Sequence, residues 1–290
     1  MEYEAFKNKM QEKLQERMGS KGEVKVIQLK ENNGGLRDEL AYVVNDNNLT
    51  PGLWLEDIYE LSKEYSFEEC LDGVEEAFNN RLKLSKSALY KPWNEAKEYL
   101  QVKVINAAWN KDDLKEIPHI NYLDLAIIFT VGGLEEDIEW TGLTIKYEHL
   151  EKWGIELAEF LETAIKKLYG EEGFSIRGVD ECLNPKWRVL ETDDGTIYVM
   201  TNKQEEFGAT AIVRVDLIRE FAEKVQSDLY IVPSSLHEIL LIPTNKMNDR
   251  ALLKKSLKVT NQFWVKPSDC LSENIYYFDR QSGSVEMIDK

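Results

Sequence analysis

A chain of 290 residues with 43% apolar and 31% charged side chains can build a sizeable core and does not have the composition of a disordered polymer. Its 53 acidic residues against 36 basic ones leave a formal charge of -17, which repels phosphate backbones and anionic lipid and makes nucleic acid and membranes poor partners. The length exceeds that of one ordinary domain, so two packed halves are expected, 1–117 and 118–290.

Tyr3, Phe6, Met10 and Leu14 recur at steps of three and four and predict an amphipathic helix from Met1 to Met18, ended by Gly19 and Gly22. The same N-terminus is too charged for a secretory signal. Two strand-like runs follow, Val24 to Leu29 and Leu40 to Val44. The intervening Asn32-Asn33-Gly34-Gly35 tolerates positive φ, so the pair reads as a hairpin. Thr50-Pro51-Gly52 turns the chain into Leu53 to Leu61, and Ser66 three residues before Glu69 is a capping box for a helix striped by Phe67, Leu71, Val74 and Phe78. Pro92 is placed to open a further helix through Ala96, Leu100, Val104 and Ala107, ended by Asn110 and Asp112.

Beyond Pro118 the pattern changes. Leu123 to Phe129 is nearly continuous in apolar residues, as expected of a central strand covered on both faces. Leu143 to Ile145 is a shorter strand candidate, followed by a helix carrying Leu157, Leu161, Ala164 and Leu168 and broken at Gly170 and Gly173. Glu171 to Asp194 has weak periodicity and turn residues at Asn184-Pro185 and Asp193-Asp194-Gly195, the marks of a connector. Ile197 to Thr201 and Ala209 to Val213 flank a loop at Gly208, and a helix with Ile218, Phe221, Ala222 and Val225 comes next. Leu229 to Val232 and Ile239 to Ile242 are short apolar runs bounded by Pro233 and Pro243. A late helix with Leu252, Leu253 and Leu257 precedes a terminal hairpin, Ile275 to Phe278 and Val285 to Ile288, turning at Asp279 to Gly283. Strands adjoining strands, with helices between the pairs, predict an α+β protein in which each half is a mixed or antiparallel sheet with helices on one face.

The motifs with well-understood mechanics, from glycine-rich phosphate loops to paired-histidine zinc helices, are absent, so no cofactor is implied. Acidic groups such as Glu68-Glu69, Glu75-Glu76, Glu135-Glu136-Asp137 and Glu171-Glu172 read as solvated faces, with nucleic-acid mimicry the minor alternative. The cysteines Cys70, Cys182 and Cys270 are odd in number and widely spaced, which fits a reducing cytoplasm and no disulfide framework. Ser234, Ser235, His237 and Glu238 place two hydroxyls, an imidazole and a carboxylate within one short segment, as a hydrolase would require. In extended chain, however, Ser235 and His237 stand ~7 Å apart and Glu238 faces the other way. A tight turn with serines bonding the backbone is the simpler expectation. His119, His149 and His237 lie at element boundaries and would bind a metal only if the fold brought them together. The seven tryptophans, Trp54, Trp93, Trp109, Trp140, Trp153, Trp187 and Trp264, are expected in core and edge packing. Tyr276-Tyr277-Phe278 alternates across a sheet, and part of it is expected to face a partner.

His119 to Phe129, Glu148 to Ile155, Tyr198 to Ile212, Asp228 to Pro243, and Tyr276 to Arg280 with Gly283 resemble the signature segments of an uncharacterised family of gut Firmicutes, a domain of unknown function. Two places depart from that pattern, Val213-Arg214-Val215-Asp216 and the stretch from Gly170 to Trp187. The resemblance implies a cytoplasmic bacterial protein and carries over no activity, ligand or catalytic residue. The leading expectation is therefore a non-catalytic binding or regulatory protein with a protein partner. The alternative is a hydrolase or metal-dependent enzyme using His237 with Ser235, Glu238, His119 or His149.

Overall fold

The apolar spacing of the first residues winds them into α1 (Tyr3–Met18), which buries Phe6, Met10 and Leu14. The computed structural model describes residues 1–43, 52–83, 91–132, 143–170, 173–179, 197–247 and 249–288. They divide into two compact units, Met1–Lys91 and Pro92–Lys290. Val44, Thr50, Pro51, Gly133, Glu135 to Asp137, Trp140, Glu171, Glu172 and the span 180–196, with Cys182 and Trp187, lie outside the described residues.

In the first unit β1 (Glu23–Lys30) and β2 (Leu36–Val43) pair antiparallel from Glu23 opposite Val43 to Lys30 opposite Leu36. Asn33 at φ 62° and Gly34 at φ 81° make the expected turn. β3 (Gly52–Trp54) extends the sheet on the far side of β2, and the chain continues into α2 (Leu55–Leu61) and α3 (Phe67–Lys83). The period of two on the strands brings Val24, Leu40 and Tyr42 to one face, and the helical period brings Phe6, Met10, Leu14, Leu55, Leu71, Val74 and Phe78 onto it. Each such large side chain contributes roughly 1.5–3 kcal/mol by leaving water. The capping box forms as read: the Ser66 amide donates to Glu69 Oε2 at 2.8 Å, and the Glu69 amide donates back to Ser66 Oγ at 3.3 Å. Asp38 on β2 accepts from Lys7 Nζ at 2.8 Å and from the Tyr3 hydroxyl at 3.1 Å, bonds that hold its carboxyl below the usual range and tie α1 to the sheet.

The second unit begins with a correction. The helix expected from Pro92 lasts only through α4 (Trp93–Ala96) and one further turn, Lys97–Tyr99, before the chain extends into β4 (Leu100–Asn106). Positions i and i+4 share a face in a strand as well as in a helix, so the stripe Ala96, Leu100, Val104 was ambiguous. The β-branched Val102, Val104 and Ile105 suit the pleated surface, and pairing along all seven residues with β6 (Leu125–Val131) decides for strand. Residues 92–117, placed with the N-terminal half on sequence grounds, are thus paired into the second unit. β6 is the expected central strand, buried at every position, but it starts two residues late because Leu123 turns at φ 57°. Its other edge is shared end to end by β5 (Ile120–Tyr122) and β7 (Leu143–Thr144).

Two helices follow, α5 (Tyr147–Trp153) and α6 (Leu157–Gly170). On α6 Ala164 and Leu168 are buried as expected, whereas Leu157 is exposed and Phe160 takes the core position, its ring edge-on to Phe129 at 5.1 Å. A second sheet runs in the order β13-β12-β10-β11-β9-β8, built of β8 (Ser175–Gly178), β9 (Tyr198–Thr201), β10 (Leu229–Val232), β11 (Ile239–Pro243), β12 (Tyr276–Asp279) and β13 (Ser284–Met287). Residues 175–178, read as connector, are therefore edge strand. Gly208–Val213 is a buried 3₁₀ turn where the sequence had suggested extended chain. The left-handed Phe207, at φ 53°, starts it. α7 (Val215–Val225) and α8 (Arg250–Phe263) complete the unit. Among the described residues every strand pairing is antiparallel, and helices stand between strand pairs, so the fold is α+β.

Candidate functional site

The residues singled out for chemistry lie in the connection from β10 to β11. Ser234 Oγ donates to Glu238 Oε1 at 2.7 Å, and Ser235 Oγ accepts from the His237 amide at 3.0 Å. The backbone around them is clamped: the Leu236 amide donates to the Asp269 carbonyl at 2.8 Å, the Ala209 amide to the Leu236 carbonyl at 3.2 Å, and Thr201 Oγ1 to the His237 carbonyl at 2.7 Å. Gly208 is what allows this closeness, since a Cβ there would collide with Thr201 Oγ1 and lie 2.5 Å from the His237 carbonyl oxygen. The His237 ring stacks on Phe207 with centroids 5.7 Å apart, Nδ1 accepts from the Phe207 amide at 3.4 Å, and Nε2 stands 4.0 Å from Asp269 Oδ2. A carboxylate beside an imidazole is an acid–base pair in outline, but 4.0 Å is too long for a hydrogen bond. Each serine hydroxyl is turned to another partner, Glu238 or the chain itself.

The other histidines serve their own elements. His119 Nδ1 donates to the Ile117 carbonyl at 2.8 Å just before β5. His149 stands at the third position of α5, where Nδ1 accepts from the Lys146 amide at 2.9 Å, the place a glutamate takes in a capping box. Burial pushes the His149 imidazole below its ordinary value. Among the described residues no three side chains of His, Cys, Asp and Glu are grouped to hold a metal ion. Cys70 and Cys270 are buried thiols held in no disulfide, both raised by burial and so poorly reactive.

Three features went unread in the sequence. Asp124, hidden inside an apolar run, accepts from Ser272 Oγ at 2.6 Å, Asn274 Nδ2 at 2.8 Å and the Tyr276 hydroxyl at 2.7 Å, joining the β5–β6 turn to the segment that enters β12. Tyr276 and Phe278 are fully buried, and Tyr277 bonds Asp228 at 2.8 Å, so the aromatic triplet is turned mainly to the fold. Next, an open groove of about 640 Å³ runs between α7 and the β8–β9 edge, floored by Phe174, Ile176, Tyr198, Met200 and Phe221.

The third is the outer face of α8. Leu253 and Leu257 point into the core beside Tyr230, Val232 and Ile242, leaving Leu252, Val259, Phe263 and Trp264 exposed at 49, 42, 68 and 82%. Positions 252, 259 and 263 fall on one stripe, about 120° around the helix from the buried pair. Arg250, Lys254, Lys255, Lys258 and Lys266 accompany it, and no Asp or Glu occurs from residue 250 to 268. Lys255 and Lys258 make no ion pair among the described residues. The sequence signal was available: an acid-free run in a chain with 53 acidic residues, and leucines at 252 and 253 of which only 253 shares the helical face of Leu257. Of the tryptophans, Trp93 and Trp153 pack together at 5.2 Å, as expected, while Trp264 is the most exposed large apolar residue among the described residues.

No helix among the described residues is long and apolar enough to cross a membrane. A family model described as a family of unknown function, DUF5688, matches residues 3–280. No curated protein and no solved structure matches the chain.

Proposed function

The chain belongs to the DUF5688 family, and from its surface we propose that it is a non-catalytic binding or regulatory protein, working in the cytoplasm of a gut Firmicute. The observation that carries this reading is the α8 face, where Leu252, Val259 and Phe263 on the helix and Trp264 at its C-terminal cap are exposed to solvent. Exposed apolar side chains scattered singly need no explanation, but an aligned stripe that ends in Phe263, with exposed Trp264 just past the helix end, is what partner surfaces use. Around His237, by contrast, hydroxyls and amides are consumed in clamping the turn, which supports a structural part for that segment.

The test is a comparison of full-length bait with its Phe263→Asp variant at micromolar concentration in extract of the native cell. A specific partner retained by the first and lost by the second is the expected result. Equal retention by both, or retention of nothing, refutes the reading. Phe263 is exposed, so the variant keeps its fold, which circular dichroism checks.

A further inference from the structure

We infer that the α8 face receives an acidic amphipathic segment of another protein, most simply a helix laid along the stripe of Leu252, Val259 and Phe263 with its carboxylates over Lys255 and Lys258. The inference rests on the binding reading above and adds the chemistry of the partner. Helical positions 252, 259 and 263 are spaced by seven and four, the repeat at which a second helix presents its own apolar row. On the helical wheel Lys255 and then Lys258 flank the stripe on one side. Both lysines are exposed and no Asp or Glu occurs from residue 250 to 268, so the charge beside the stripe is positive and suits a carboxylate-bearing partner.

Charge complementarity separates the possible occupants. A second copy meeting this face through a two-fold axis would bring up its own α8, which offers Lys255 and Lys258 no carboxylate, since residues 250–268 hold no Asp or Glu. An anionic bilayer is an extended plane, so bringing α8 down on it also brings up a chain of formal charge -17. A single acidic segment reaches little beyond the patch itself. At physiological salt the remaining surface is screened beyond about 8 Å, and the local lysines decide the interaction.

The experiment uses the full chain and a synthetic helical peptide with leucines at i, i+3, i+4 and i+7 flanked by glutamates, followed by fluorescence anisotropy of a label on the peptide. A second peptide carries glutamine in place of each glutamate, and phosphatidylserine vesicles are titrated in parallel. Expected is saturable binding of the acidic peptide that weakens about tenfold in K255E/K258E, weakens as much when glutamine replaces glutamate, and falls as salt is raised. Phe263→Asp should abolish it. If the glutamine peptide binds equally well and Phe263→Asp still abolishes binding, the face binds but the acidic partner is wrong. Should neither peptide bind at any concentration, the binding reading of the face falls with it. Vesicle binding lost in K255E/K258E without peptide binding would transfer the face to membranes. Self-association in sedimentation equilibrium that Phe263→Asp dissolves would transfer it to a second copy; either overturns the inference.

Discussion

Replacing Asp124 by alanine removes a carboxylate that satisfies three donors at once, Ser272 Oγ, Asn274 Nδ2 and the Tyr276 hydroxyl, at 2.6, 2.8 and 2.7 Å. Tyr276 and Ser272 have no exposed surface, so water cannot take over without the segment opening. An orphaned buried donor costs about 1–3 kcal/mol, which puts Asp124→Ala at roughly 2–6 kcal/mol once the partly exposed Asn274 is discounted. Tyr276→Phe deletes only one bond to a charged acceptor, about 1.5–3 kcal/mol, and leaves the carboxylate two donors. Burial, then the charge of Asp124, keeps the phenol well above its ordinary value, so it remains a donor at any working pH. Together the two changes should cost less than their sum by about 1–2 kcal/mol, since the phenylalanine has no hydroxyl to orphan. Urea unfolding followed by tryptophan fluorescence reports on the right part of the chain, because only Trp54 lies in the first unit. Additive losses, or a loss under about 1 kcal/mol for Asp124→Ala, would refute the account of this carboxylate as the bolt between two strand systems.

His149 should make stability fall as pH drops. Its folded value lies below the unfolded one near 6.5, so the unfolded chain binds the proton first; its contribution is whole above that pH and is lost as pH falls through the folded value. Protonation also removes the acceptor for the Lys146 amide. The stability–pH profile of His149→Gln should be flatter in that acid window, and an unchanged slope would remove the explanation. Gly208→Ala should destabilise by about 1–3 kcal/mol or more, because the new methyl meets backbone at the His237 carbonyl and Asn202 amide as well as Thr201, read as a lowered urea midpoint. A midpoint equal to wild type would show that the clamp is loose. Ser234→Ala with Ser235→Ala should cost on the order of 1 kcal/mol through two lost hydrogen bonds and leave α8 binding unchanged. Any ester or amide hydrolysis that this pair abolished with the fold intact would restore the enzyme reading.

How much of this was legible varied with the range of the interactions. Amphipathic stripes of α1, α3 and α7, the Ser66–Glu69 box and the two hairpins rest on contacts a few residues apart, and the pattern of residues carries them directly. β4 was misread because residues four apart align in helix and strand alike, and only pairing with β6 breaks the tie. Asp124 gave no signal, since its partners are about 150 positions away.

Local sequence thus settled where α1, α3 and α7 wind and where the two hairpins turn, because those preferences belong to neighbouring residues. That the Thr201 hydroxyl reaches the His237 carbonyl, and which leucine of the pair 252 and 253 stays in water, depends on elements distant in the chain arriving at one place. Only the folded arrangement decides such pairings, for a side chain's partner is chosen by geometry that no short window of residues contains.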